Sequence, residues 1–126
     1  MIAIGIGCRR GASKEAIIKL VAEALARASL VGETGGLFTY EVKKDEAGLM
    51  AAAEELRMPL HFLSLEALQA MADRVATHSE AAEKALGIPS VAEASALAGC
   101  GRYGHLLLPR IAGDGVTCAI AKRGNE

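Results

Sequence analysis

The residues best suited to chemistry in this chain lie in two cationic clusters and one stretch rich in hydroxyls and acids. The first cluster is Gly7-Cys8-Arg9-Arg10-Gly11, with Ser13 just beyond it; the second is Lys43-Lys44-Asp45-Glu46. Each follows a short apolar run that reads as a β-strand, residues 2–7 and 37–42. Residues at the carboxyl ends of parallel strands share one edge of the sheet, which is where open α/β sheets bind ligands. Four cations at such an edge, beside the unpaired N–H groups of a helix start, suit a ligand with several carboxylates or phosphates. A solvated basic rim is the plain alternative.

Cys8 sits next to two arginines and near a helix start, a setting that lowers a thiol pKa. It reads as a polar contact or nucleophile, or as a small residue fitted to a tight turn; no histidine is spaced to partner it. In the third stretch, Thr77 with Glu80 and Ser90 with Glu93 have capping-box spacing. Ser79, Glu80 and Glu93 are therefore explained as helix starts, and remain polar groups within reach of a ligand.

Several classes are excluded. The glycine series Gly5, Gly7 misses the dinucleotide fingerprint, because Arg10 stands where the third glycine belongs, and no P-loop is present. No cofactor is expected. Three separated cysteines without a CxxC pair, and histidines 61, 78 and 105 without ligand spacing, point to neither a disulfide framework nor a metal site. A net charge of −1 gives no field that would draw nucleic acid or an anionic membrane. Two Phe, two Tyr and no Trp are too few for base stacking. With no apolar run of membrane-spanning length and no basic leader, the expected location is the cytoplasm.

The elements that must position these residues follow from periodicity. Ser13 caps a helix to about residue 29 with Ile17, Leu20, Val21, Ala24 and Leu25 on one face. Residues 32–36 form a turn before the second strand. Asp45 caps a second helix that Pro59 stops, and residues 60–63 form a third strand. Ser64 caps a short helix, 73–78 is a loop, and two further short helices end at Gly87 and Gly99. Strands at 106–111 and 116–121 are joined by Asp114-Gly115, a hairpin signal, and residues 122–126 are expected to fray. The 126 residues read as one domain of α/β class: a three-layer α/β/α arrangement, its mixed sheet of about five strands ending in a C-terminal antiparallel hairpin.

Gly5-Ile-Gly-Cys-Arg-Arg-Gly11, Lys43 with Asp45-Glu46-Ala-Gly-Leu49, Ser79-Glu80, Gly87-Ile-Pro-Ser-Val-Ala-Glu-Ala94 and Val116-Thr-Cys-Ala-Ile-Ala121 occur in that order. In these segments, over nearly its whole length, the chain resembles the CobE/CbiG C-terminal domain family of cobalamin biosynthesis, most closely the stand-alone form. The resemblance implies a part in corrin-ring assembly, with a polycarboxylate precorrin tetrapyrrole as the bound partner. The family also occurs as the C-terminal module of a cobalt-precorrin-5A hydrolase, which opens a ring-attached lactone and releases acetaldehyde. That setting implies two alternatives: a small hydrolase, or a module that docks on another corrin-pathway enzyme. The candidate ligand-binding residues are Gly7, Cys8, Arg9, Arg10, Gly11, Ser13, Lys43, Ser79 and Glu93; the candidate general bases are Glu46 and Glu80.

Overall fold

The first strand, β1 (Ile2–Cys8), alternates large and small: Ile2, Ile4 and Ile6 on one face, Ala3, Gly5 and Gly7 on the other. That alternation decides what each face can receive, because successive side chains leave a strand on opposite sides. In the structure, a computed structural model that describes residues 2–101 and 103–123, β1 is the centre of a five-stranded sheet of order β3-β2-β1-β5-β4. The strands β2 (Gly35–Tyr40) and β3 (Leu60–Leu63) continue it in parallel; β5 (Val116–Arg123) runs antiparallel to β1 and pairs with β4 (Gly104–Gly113).

The isoleucine face carries the main core. Helices α1 (Lys14–Arg27) and α2 (Ala47–Leu56) cover it with Ile17, Leu20, Val21, Leu49 and Ala52, which pack on Ile2, Ile4, Ile6, Leu37 and Ile120. Ser13 accepts the Ala16 N–H at 3.0 Å and starts α1, as its sequence position predicts. On the small-residue face lies α5 (Val91–Cys100), whose Ala92 and Ala96 meet Ala119 and Ala121. A Cβ added to Gly5 would stand 1.9 Å from the Ala92 carbonyl oxygen, so the α5 backbone rests directly on that of β1. Two shorter helices, α3 (Leu65–Gln69) and α4 (Glu80–Leu86), lead the chain from the β3 edge back to α5, with Leu68, Ile88 and Ala94 as a small satellite core. The three-layer arrangement and the terminal hairpin are thus as the sequence implies. Asp114 (φ 51°) and Gly115 (φ 79°) form the tight turn of that hairpin, both in the left-handed region that such turns require. No helix among the described residues is long and apolar enough to cross a membrane.

Several local expectations are corrected. The second strand begins at Gly35, not residue 37, and ends at Tyr40; residues 41–43 form a 3-10 turn. Gly35 and Gly36 look like turn residues but pair with Ile2 and Ala3. Glu46, not Asp45, occupies the cap position of α2, and its carboxylate does not cap. Gly99 lies inside α5 under the Phe38 ring, and Gly101 (φ 78°) ends that helix. In the expected fraying segment, Lys122 and Arg123 belong to β5, while residues 124–126 lie outside the described residues.

The largest correction concerns Glu93. Ser90 does cap α5, accepting the Glu93 N–H at 3.3 Å. The Glu93 carboxylate does not return the bond. It is fully buried and accepts from the N–H groups of Ala76 (2.7 Å), Thr77 (2.8 Å) and Arg110 (2.8 Å), and from the Thr77 hydroxyl (2.7 Å). Thr77 is thereby taken from the start of α4, which it was expected to cap. One carboxylate staples the 75–78 loop, α5 and β4 together. Burial alone would raise the Glu93 pKa, but the donors from Arg110, Thr77 and Ala76 outweigh it and hold the group below its ordinary value.

Two predictions follow from this architecture. Gly5→Ala is expected to cost about 3 kcal/mol or more, since the obstruction is backbone. Gly113→Ala, whose added carbon meets only Leu20 Cδ1 at 3.5 Å, is expected to stay within about 0.5 kcal/mol; urea denaturation of both variants is the check. For Glu93, a lowered folded pKa means stabilisation that is complete above the ordinary glutamate value of 4.5 and is lost as pH falls through the lowered one. Glu93→Gln should lose about 3 kcal/mol at neutral pH, and its deficit relative to wild type should shrink on acidification from about pH 5 to pH 3. A deficit that does not change with pH would show that the carboxylate charge is not what the loop depends on.

Candidate functional site

Because β1 and β2 are parallel, the segments after Cys8 and after Tyr40 leave the sheet at one edge. The Asp114-Gly115 turn reaches the same edge, since β5 starts opposite Cys8. The N-terminus of α5 arrives there too, with Val91 Cβ 3.7 Å from where a Gly7 side chain would begin. These elements enclose a groove with two lobes that share Gly7, Cys8 and Val91.

The larger lobe, about 400 Å³, is lined by Cys8, Tyr40, Val42, Lys43, Leu86 and Val91. Its floor is apolar, and Val42 leaves 62% of its surface in water. The smaller lobe, about 230 Å³, is lined by Arg9, Ser90, Arg110, Gly115 and Thr117 beside the shared residues. Arg9 enters by lying across Gly115: a Cβ there would fall 2.4 Å from Arg9 Nε, and the Arg9 N–H donates to the Gly115 carbonyl at 2.9 Å. Among the described residues, none of the ion pairs within 4.0 Å involves Arg9, Lys43 or Arg110. The groove therefore combines an apolar floor with uncompensated cations at its margins.

Of the residues singled out from sequence, Gly7, Cys8, Arg9 and Lys43 line this groove. Gly11 and Ser13 instead line, with Arg9, a separate depression over the start of α1. Arg10 is exposed and lies in neither lobe. Ser79 is half-buried ahead of α4, and its N–H donates to the Pro89 carbonyl at 2.8 Å; Glu80, the first residue of α4, is exposed outside both lobes. Glu93 faces inward, as described. Glu46 accepts the Gly11 N–H on Oε1 at 2.8 Å, so it latches the loop after β2 to the loop after β1.

The Cys8 thiol departs from expectation. Burial pushes its pKa up, Lys43 pulls it partly back, and Glu46 adds to the rise. Neither arginine has a lowering effect: Arg9 is drawn over Gly115, and α1 begins only at Lys14. Cys118, in the core, is pushed up to about 12 by burial. The thiols are held protonated rather than activated.

Arg110, Thr117, Ser90 and the apolar floor residues lay outside the set chosen from sequence. Val42 looked like the end of a strand, and Arg110 like one charge on a regular strand. The available signal was Pro109, because proline interrupts a ladder and is found at edges and bulges.

Comparison with known proteins places this geometry in a family. Residues 2–121 match the family model described as cobalamin synthesis G C-terminus. The chain is 32% identical to Protein CobE of Sinorhizobium sp over 121 residues, covering 95% of this chain and 79% of the relative. It superposes on the crystal structure of CobE, a protein from the cobalamin (vitamin B12) biosynthetic pathway, with a TM-score of 0.91 at 35% identity, covering 100% of this chain and 92% of the other. It also matches cobalamin biosynthesis protein chiG from Agrobacterium tumefaciens str. C58, with a TM-score of 0.79 at 36% identity, covering 99% of this chain and 100% of that one. From motif order, fold and these likenesses together, the chain belongs to the cobalamin synthesis G C-terminus family of cobalamin-biosynthesis proteins.

Proposed function

We propose that this protein binds a polycarboxylate precorrin, an intermediate of corrin-ring assembly, in the two-lobed groove at the carboxyl edge of β1 and β2. One observation carries the reading: an apolar floor of Tyr40, Val42, Leu86 and Val91 with the unpaired cations Lys43, Arg9 and Arg110 around it. A macrocycle with apolar faces and acidic arms is complementary to that pattern. The floor takes the ring by excluding water, and the cations take carboxylates by charge-assisted hydrogen bonds. Lys43 acts as a positional charge at the larger lobe. Cys8, protonated, is a small neutral wall between the lobes. Glu46 acts on the ligand indirectly, by keeping the two cation-bearing loops at a fixed separation through Gly11.

Binding without turnover fits the acids better than hydrolysis does. Neither Glu80 nor Glu46 lines either lobe of the groove. A general base needs a free lone pair within reach of the reacting water.

Titration with uroporphyrin III, a tetrapyrrole with acetate and propionate arms, followed by absorbance, tests the reading. The protein should bind it, more weakly as salt rises. Lys43→Gln should weaken binding about three- to tenfold, and Val42→Asp should abolish it by charging the floor. Precorrin intermediates supplied with the protein should release no acetaldehyde. Absence of binding would remove the proposal; acetaldehyde release that is lost in Glu46→Gln would replace it with hydrolysis.

A further inference from the structure

The smaller lobe is built by a defect in β4. Two register shifts interrupt β4: one between Leu106 and Leu108 takes its packing from the α5 side to the α1 side, and a second between Leu108 and Ile111 leaves both of these on the α1 side. Leu108 is opposite Ile120 and Ile111 opposite Cys118, so β4 runs one residue longer than β5 between these pairs. The extra residue falls at Pro109–Arg110. Proline has no N–H to lose, and the Arg110 N–H goes to Glu93 Oε2 at 2.8 Å. A bulge re-aims side chains, and here it puts Arg110 into the lobe with Arg9, Ser90 and Thr117.

Two arginines then line a single small cavity. Neither arginine has an ion pair within 4.0 Å among the described residues, and both Glu93 oxygens accept instead from the Ala76, Thr77 and Arg110 main chain and the Thr77 hydroxyl. Like charges converging in a cleft raise the free energy of the empty site, and an anion between them lowers it. Planar guanidinium forks are matched to carboxylate geometry.

We infer that the lobe between Arg9 and Arg110 is a subsite for one carboxylate arm of the ligand, and that Arg110 fixes the rotational setting of the bound ring. The inference rests on the binding reading above and adds to it which residues read the periphery. Lys43, at the other lobe, holds a different arm. The ring is thus pinned at two points on its rim while its face lies on the apolar floor, and a ring whose arms differ in length or spacing engages only one of them.

The test is uroporphyrin III titration of wild type, Arg110→Gln, Arg110→Lys, Arg9→Gln and the Arg9→Gln/Arg110→Gln pair, with thermal unfolding to confirm that each variant is folded. Arg110→Gln should weaken binding about ten- to a hundredfold and flatten its dependence on salt. Arg110→Lys should fall between that variant and wild type, which keeps the test open if the glutamine variant does not fold. The Arg9 and Arg110 losses should be less than additive, because both residues hold one carboxylate. Wild-type affinity in Arg110→Gln alongside weakened binding in Lys43→Gln would overturn the subsite and leave the binding reading intact. Full additivity of the Arg9 and Arg110 losses would overturn the shared carboxylate. Failure of wild type to bind uroporphyrin III would remove both readings.

Discussion

The approach of α5 to β1 is the constraint on which the rest of the molecule depends. Backbone meets backbone there, with the Ala92 carbonyl occupying the space that a side chain on Gly5 would need. Such proximity requires small residues where the two backbones meet, and Ala3, Gly5, Gly7, Ala92, Ala96, Ala119 and Ala121 supply them. The contact sets the height of α5 above the sheet, and with it the position of Ser90 and Val91. Val91 is part of the wall shared by both lobes, and Ser90 lines the smaller one. The shape of the groove is therefore inherited from a dry contact of alanines and glycines that no ligand touches.

The acids and cations divide their labour in an uneven way. In the sequence Glu46 reads as a candidate general base and Glu93 as a helix-start acid within reach of a ligand. In the structure each spends its charge on backbone N–H groups, Glu93 holding the 75–78 loop and β4, Glu46 holding the turn at Gly11. Neither acid pairs with Arg9, Lys43 or Arg110, which make no ion pair within 4.0 Å among the described residues. A chain of net charge −1 can in this way present a cationic cleft, because its carboxylates face inward or lie elsewhere on the surface. Bulk charge excluded nucleic acid as a class, yet it carried no information about this local excess.

Legibility followed the range of the interactions. Ser13, Ser64 and Ser90 could be read as caps because a cap is decided within four residues. The Asp114-Gly115 turn could be read for the same reason, and the apolar run at residues 2–7 could be read as a strand covered on both faces. What could not be read depended on distant partners. Gly5 reads only as an interruption of the first strand, and the reason for it is a helix late in the chain. Gly35 and Gly36 suggested a turn, but they pair with Ile2 and Ala3 in the sheet. The capping-box spacing at Glu93 was correct as far as Ser90 and silent about four strand and loop donors competing for the same carboxylate. The bulge that exposes Arg110 depends on a strand register that only the folded hairpin defines.

The two outer layers stand at different distances from the sheet. Isoleucine and leucine hold α1 and α2 away on one side, while alanine and glycine let α5 settle close on the other. The molecule is thus lopsided in its tolerance to change. On the thick side, a lost or gained methyl group has other side chains to shift against, and the disturbance fades before it reaches the surface. On the thin side there is nothing compressible between main chains, so even one added carbon moves a whole helix. Evolution of ligand preference in such a molecule is channelled to the loops and to the bulged edge strand, since the thin layer leaves no room for gradual adjustment from within.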